Sequence, residues 1–349
     1  MRHALGLSAL ALTLSLTAAA DTPADPKLAL SEGATLLAPI QVDSVTITPI
    51  VATPAAVPKE DVDLLVLDEG MASKKVKITE YDEGNVNSLT FRNDADRGVF
   101  LLAGEVVLGG KQDRIIGKNT IIPAKTTQEV PVFCVEHGRW DNKTKTFTTA
   151  NALAHGRLRY QANYENQQDV WDEVARKNEL RKTKSATGTY RTVAKQQSNG
   201  TLGKREQAIE ATLGKLPADE RKRMIGYVVA LNGKVATVDM FGSPKLFAKL
   251  QKKLVRSYLT EAIDIATTKD AKPPTATDVK TFMAEVDKAA EQESYATKAA
   301  RTRMKKSATA AKATVEYDFS GDNVTGDEVP AGQALPAPAA PVYQNYQKK

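Results

Sequence analysis

The sequence predicts an α+β fold: an N-terminal antiparallel β-rich unit, then helices packed with a β-hairpin, then a disordered Pro/Ala-rich C-terminal tail. Three observations carry that prediction. Up to residue 150 the apolar residues fall in short β-branched runs bounded by Gly, Asp, Asn or Pro, as strands and turns do. Beyond residue 150 the apolar spacing becomes that of amphipathic helices. Within that second region, residues 227–231, the pair Asn232-Gly233 and residues 234–240 read as a hairpin, because Asn-Gly supplies the positive φ angles of a type I′ turn.

Taken in order, residues 1–20 are an export signal. Arg2 and His3 precede an apolar run that ends at Leu16, and Ala18-Ala19-Ala20 supplies the small residues read by a signal peptidase. The run is shorter than the roughly 20 residues a membrane span needs, so cleavage after Ala20 and a secreted or periplasmic location are expected, with no transmembrane segment after processing. Residues 33–150 form the β-rich unit, through Val45-Thr46-Ile47, Leu64-Leu65-Val66-Leu67, Val76-Lys77-Ile78 and Leu89-Thr90-Phe91. Residues 99–108 and 111–117 form a hairpin about Gly109-Gly110, a pair suited to a two-residue turn. Ile121-Ile122-Pro123 and residues 130–136 continue the β pattern.

Residues 151–319 are a helical region with a hairpin, expected to pack on the first unit as one composite domain. Its first strong helix spans 167–181, with Val170, Trp171, Val174 and Ala175 on the apolar face. Residues 183–203 are polar and read as a mobile loop. A helix over 204–216 stops at Pro217. After the Asn-Gly hairpin, Ser243 and Pro244 start a long helix as N-cap and first-turn proline. Phe247, Leu250, Leu254, Tyr258 and Leu259 form its buried stripe, and Lys245, Lys249, Lys252, Lys253 and Arg256 read as a solvated face. A helix from about 277 buries Val279, Phe282, Met283 and Val286, residues 314–319 form a last strand, and residues 322–349 are the disordered tail.

The composition narrows the function. At 42% hydrophobic, 349 residues are enough for a sizeable core. A single cysteine, Cys134, rules out an intramolecular disulfide in an exported chain, and its apolar setting reads as burial. Net charge is +6, which invites a nucleic-acid reading. Its distribution weakens that reading: residues 1–150 hold 15 Lys/Arg against 19 Asp/Glu, and the basic excess lies on helices without interleaved aromatics. No nucleic acid and no cofactor are expected as partners, and oligomeric state is left open. Only His137 and His155 follow the signal, without ligand spacing, so no metal site is expected.

Chemistry-bearing residues gather in two places. About Gly109-Gly110, a two-residue turn places Glu105 opposite Arg114 and Val107 opposite Gln112 on one face, with Lys111 and Asp113 on the other. The plain alternative is a cross-strand ion pair on a solvated sheet. The second place is Pro131-Val132-Phe133-Cys134-Val135-Glu136-His137-Gly138-Arg139-Trp140, an apolar strand whose end offers a carboxylate, an imidazole, a guanidinium and an indole. Arg139 suits an anion, Trp140 a ring, and Glu136 or His137 a proton transfer. The alternative is that Trp140 is core and Arg139 pairs with Glu136 structurally.

Leu102-Ala103-Gly104-Glu105, Gly109-Gly110-Lys111-Gln112-Asp113-Arg114 and residues 131–140 resemble the ARG-and-rhodanese-phosphatase-superfamily-associated domain family. Gln168, Val170-Trp171-Asp172-Glu173-Val174, Gly233-Lys234 and Asp239-Met240-Phe241 fit as well, so the resemblance spans residues 35–265. The family name records association with ADP-ribosyl-glycohydrolase and phosphatase domains. The resemblance therefore implies a nucleotide-derived or phosphorylated ligand, without naming a reaction.

The sequence thus points to a secreted globular protein that binds a phosphorylated, nucleotide-derived or other anionic ligand through Lys111, Gln112, Arg114, Arg139 and Trp140. The ligand expected is an anionic small molecule or a cell-envelope polymer. Two alternatives stay open. One is an exported hydrolase, with Glu105 or Glu136 as general base and His137 as a further catalytic candidate. The other is a purely structural envelope protein.

Overall fold

A computed structural model describes residues 29–31, 33–57, 63–81, 86–141, 144–198, 200–296, 300–317 and 341–349. The expected signal peptide lies outside the described residues. The chain runs through β1 (Ala29–Ser31), β2 (Ala34–Leu36), β3 (Ile40–Val42) and β4 (Val45–Ala52), then β5 (Leu65–Val66) and helix α1 (Leu67–Ala72). Next come β6 (Val76–Glu80), β7 (Ser88–Asn93), β8 (Val99–Leu101), β9 (Glu105–Gly109), β10 (Arg114–Ile116), β11 (Thr120–Ile122), β12 (Thr127–Cys134) and β13 (Phe147–Leu153). Helices α2 (Gly156–Tyr164), α3 (Gln167–Arg181), α4 (Arg191–Gln196), α5 (Gly203–Gly214) and α6 (Ala218–Lys222) follow. The hairpin β14 (Met224–Leu231) and β15 (Lys234–Phe241) leads to α7 (Pro244–Ala262) and α8 (Ala276–Asp287). Strands β16 (Glu291–Ala296), β17 (Ala300–Lys306), β18 (Ala310–Tyr317) and β19 (Tyr343–Lys348) complete the α+β architecture.

Two main sheets organise these elements. The larger runs β1-β2-β4-β14-β15-β19-β18-β17-β16, with β3 also on β4. Strand β4 comes from the β-rich unit and pairs with β14 of the later hairpin, so both parts of the chain share one sheet. Every residue of β4 is buried, because the sheet is covered on both faces. Ile47 and Val229 pack toward α7, while Ile50, Val228 and Val238 pack toward Val279 and Val286 of α8.

The smaller sheet runs β13-β9-β10-β12-β7-β6, and a bridge between Thr79 and Thr146 brings its two ends together. The sheet therefore curls around its own core of Ile78, Phe91, Val107, Ile116, Val132 and Phe147. Its outer side, through Val106, Ile115 and Val135, packs on Leu158, Val170, Tyr190 and Val193 of the α2–α4 region. A third sheet, β11-β8-β5, includes one parallel pair, β5 with β8, where only antiparallel pairing was expected.

Helix α7 lies between the large sheet and the curled one. Ser243 Oγ accepts from the Leu246 N–H at 3.1 Å and Pro244 stands in the first turn, as the sequence indicated. Its basic residues are a solvated face only in part: Lys245 and Lys252 are exposed, Lys249 and Arg256 half-buried and Lys253 buried. Lys249 pairs with Glu69, Lys253 with Asp68 and Glu105, Lys252 with Glu206 and Glu210, and Arg256 with Glu206. Acidic residues on α1, β9 and α5 meet α7 here, which a reading of α7 in isolation does not reveal.

Three further expectations change. The Gly-Gly hairpin has Arg114 opposite Val107, not Glu105, so its loop is residues 110–113 and the register moves by two residues. The cause is Asp113, whose side chain is captured below the loop. The polar stretch 183–203 contains α4, anchored by buried Val193 and Ala194. The C-terminal residues 343–348 are β19, paired with both β15 and β18, rather than the end of a loose tail. Tyr343, Asn345 and Tyr346 are buried, so this strand has an apolar and polar interior to fill. Residues 318–340, the rest of that expected tail apart from its boundary, lie outside the described residues.

Candidate functional site

The loop at residues 110–113 and the strand end that follows Cys134 form one hydrogen-bonded lock. Asp113 is fully buried. Its carboxylate accepts from the Gly109 N–H (3.1 Å), Thr189 Oγ1 (2.9 Å), Arg191 Nε (2.9 Å) and Arg191 Nη2 (2.6 Å). Glu136, also buried, accepts from the Asp113 N–H (3.1 Å) and Arg139 Nε (2.7 Å). Gln112 Nε2 donates to the Glu136 carbonyl at 2.8 Å. The hydrogen bonds that Arg191 donates to Asp113 raise its pKa, against the opposing effect of burial.

Arg139 closes the lock. Nε donates to Glu136; Nη1 donates to the Gly110 carbonyl (2.8 Å) and Asp141 Oδ1 (3.4 Å); Nη2 donates to the Gly109 carbonyl (3.2 Å) and Asp113 Oδ1 (3.3 Å). A guanidinium has five N–H donors, and all five are engaged inside the protein. The two glycines have a steric reason to be there. Gly109 and Gly110 have φ of 133° and 50°, and a Cβ would lie 2.4 Å from the Thr146 carbonyl oxygen or 2.2 Å from Phe147 Cζ.

The remaining residues singled out from the sequence separate around this lock. Lys111 holds its Nζ 5.1 Å from the Trp140 ring centroid, and Trp140 is 57% exposed. Arg114 is wholly buried on the inner face of the curled sheet, opposite Cys134, with Nη1 on the Gln112 carbonyl at 2.8 Å. Burial raises the Cys134 thiol above its ordinary range, so it stays protonated near neutrality. Glu105 is buried elsewhere, paired with Lys253 at 2.7 Å and accepting from the Leu102 N–H at 3.0 Å. Burial raises its carboxyl above the ordinary glutamate range against the pull of Lys253. Glu105 and Glu136 therefore do not share a site.

His137 leaves the lock and enters a cleft. Gln167 docks α3 on the strand end: its Nε2 donates to the Cys134 carbonyl (2.9 Å) and its Oε1 accepts from the Cys134 N–H (2.8 Å). One turn further along α3, Trp171 meets His137 edge to face, with centroids 4.5 Å apart at 84°. Gly138 donates to the Thr187 carbonyl (2.8 Å), and a Cβ on it would lie 2.9 Å from Thr187 Cα. Between α3 and residues 184–188 the cleft has a volume of about 440 Å³, with Gln168, Asp172 and Glu179 on one side and Lys184 on the other. Trp171 Nε1 is buried without an acceptor.

Two further polar centres escaped sequence reasoning. His155 is fully buried; its Nδ1 and Nε2 lie 2.8 Å from Tyr190 Oη and 2.7 Å from Glu173 Oε1. Burial lowers the His155 pKa, keeping the imidazole neutral, with Tyr190 donating to Nδ1 and Nε2–H donating to Glu173. Burial alone would raise Glu173, but hydrogen bonds from Arg176 and His155 overcome it and hold the carboxyl down to about 2. The second centre is Asp239, fully buried, which pairs with Arg159 (3.0 and 3.2 Å) and accepts from Tyr258, Tyr343 and Asn345 Nδ2. Gly104 leaves room for it: a Cβ there would lie 2.5 Å from Arg159 Cγ. The Gly104-Glu105 and Asp239-Met240-Phe241 strings were visible in the sequence, but their partner Arg159 stands in neither.

Among the described residues no group of three or more His, Cys, Asp or Glu is placed to hold a metal ion, and no helix is long and apolar enough to cross a membrane. No curated protein and no solved structure matches the chain. A family model does match, over residues 33–326, covering the lock, the cleft, the His155 centre and all of the Asp239 centre but Tyr343 and Asn345. The chain belongs to the ARG and Rhodanese-Phosphatase-superfamily-associated Protein domain family.

Proposed function

We propose that the protein is an exported, non-catalytic binding module whose cleft beside the arginine lock takes a polyhydroxylated, sugar-like segment of a cell-envelope polymer. The observation that carries this reading is the 440 Å³ cleft itself, lined by the Trp171 and His137 rings that meet edge to face. The Trp171 and His137 rings offer an apolar wall to the C–H face of a sugar ring. Gln168, Asp172 and Glu179 offer the planar acceptors that hydroxyl groups need, and Lys184 can meet an acidic substituent. The sequence-based expectation of an export signal supplies the compartment.

Two features turn the reading away from hydrolysis and from an anion on the lock. Glu105 and Glu136 are buried, ion-paired and outside the cleft. Arg139 has no donor left for a ligand. Calorimetric titration with soluble peptidoglycan fragments and chitotetraose tests the proposal. Binding without cleavage is expected, lost in Trp171→Ala and retained in Trp140→Ala. Unchanged binding in Trp171→Ala, or fragment cleavage that disappears in Glu136→Gln, would overturn it.

A further inference from the structure

A second cavity, of about 370 Å³, lies between the β14–β15 hairpin, the end of β19 and the start of α2. It shares no residue with the cleft. Val229, Leu231, Val235, Ala236 and the ring of Tyr258 give it an apolar lining. The Tyr258 hydroxyl is spent on Asp239, so the cavity meets the ring rather than the polar end. A register slip between Val229 and Ala230 interrupts the β14–β15 ladder at the same place.

The charges lining the cavity are one-sided. Arg157, Lys234, Lys348 and Lys349 face one carboxylate, Glu261. Glu261 is already engaged, accepting from the Arg157 N–H at 2.9 Å. Arg157 reaches Glu173 at 3.2 Å and Lys349 reaches Glu165 at 3.3 Å. Lys234 and Lys348 have no carboxylate partner among the described residues. The first turn of α2 also opens on this cavity; its Arg157 N–H is taken by the Glu261 carboxylate, because His155 at the N-cap is turned to Glu173 and Tyr190.

An apolar lining with a cationic rim suits neither a bare inorganic anion nor a neutral apolar molecule as well as a molecule carrying both features. A volume near the lower end of ligand pockets limits its size. We infer that this cavity binds a small amphipathic anion, an acyl or aryl carboxylate, with its apolar part against Val229, Val235 and Tyr258 and its carboxylate at the Lys234 and Lys348 rim.

The experiment titrates octanoate, octan-1-ol and octyltrimethylammonium into the full chain by calorimetry. Octanoate is expected to bind more tightly than octan-1-ol, and the cation not to bind. The variant Lys234→Glu with Lys348→Glu is expected to weaken octanoate by about tenfold or more while leaving octan-1-ol unchanged. Restoring the charges as Lys234→Arg with Lys348→Arg should restore octanoate binding. Both lysines have solvent-exposed side chains, so circular dichroism should report an unchanged fold. No octanoate binding, equal affinity for octanoate and octan-1-ol, or an unchanged octanoate affinity in the charge-reversed variant would overturn the inference.

Discussion

Asp113 and Arg139 convert a turn into a fixed junction, and each depends on the other. Removing the Asp113 carboxylate leaves Arg139 and Arg191 without their shared acceptor and strips the Gly109 N–H and Thr189 of theirs. Asp113→Ala should therefore destabilise the protein by about 3 kcal/mol, the scale for breaking one side of a buried ion pair. Urea denaturation measures this, and a change below about 0.5 kcal/mol, the range of ordinary surface substitutions, would contradict the lock. Glu173 and His155 set the response to acid. A carboxyl held down to about 2 in the fold contributes stability that is full above its ordinary value of 4.5 and is lost as pH falls toward 2. His155, kept neutral by burial, acts in the same direction, because the unfolded chain takes up its proton first, from about pH 6.5 downward. The melting temperature should fall steadily below about pH 6.5, and Glu173→Gln should flatten the part of that slope below pH 4.5. An acid limb of unchanged steepness in Glu173→Gln would count against this assignment.

Among the elements, α7 shows what a lysine does between two sheets. Lys253 meets Glu105 and Asp68 in a nearly closed environment. Lys253→Ala should cost about 3 kcal/mol by leaving Glu105 buried and unpaired, whereas Lys253→Met with Glu105→Leu should recover most of that loss. A double variant no more stable than Lys253→Ala, measured in the same denaturant series, would show that the pair is not the cause. The start of α7 was legible because a cap is local: Ser243 and Pro244 need only their own turn. The β14–β15 turn was legible for the same reason, with Asn232 and Gly233 at φ of 46° and 78°. The β9–β10 register was not. Gly109 and Gly110 correctly announce positive φ, but loop length is decided by Arg139, Glu136 and Arg191, which lie 23 to 78 residues away from their partners in the loop. The paired cations of α7 were hidden in the same way, behind acids on other elements.

At the scale of the molecule, β19 ties the end of the chain into the middle of the large sheet. It brings Tyr343 and Asn345 to Asp239 and separates β15 from β18. A chain ending at residue 340 should therefore lose cooperative unfolding and solubility, which a thermal melt followed by circular dichroism detects; a truncated chain with an unchanged melt would contradict the topology. Strand β19 was not legible, because Tyr343-Gln344-Asn345-Tyr346-Gln347 spaces its aromatics three apart rather than two and follows Pro- and Ala-rich residues. The candidate site was legible in part. His137, Trp171 and Asp172 stood in motifs that drew attention, and the structure brings them to one cleft. Arg139 and Glu136 drew the same attention for their chemistry, and they bond each other and the loop at residues 109–113. Residue type shows what a side chain can bind, not whether the protein has already bound it.

A closed lock and a ligand-binding cleft beside it would respond differently to a ligand. Nitrogen-15 NMR of the arginine and tryptophan side chains, recorded while soluble peptidoglycan fragments are added, tests both halves at once. The Trp171 Nε1–H resonance is expected to shift to saturation while the Arg139 Nε–H resonance stays in place and protected from exchange. A shift of Arg139 with Trp171 unmoved would contradict it.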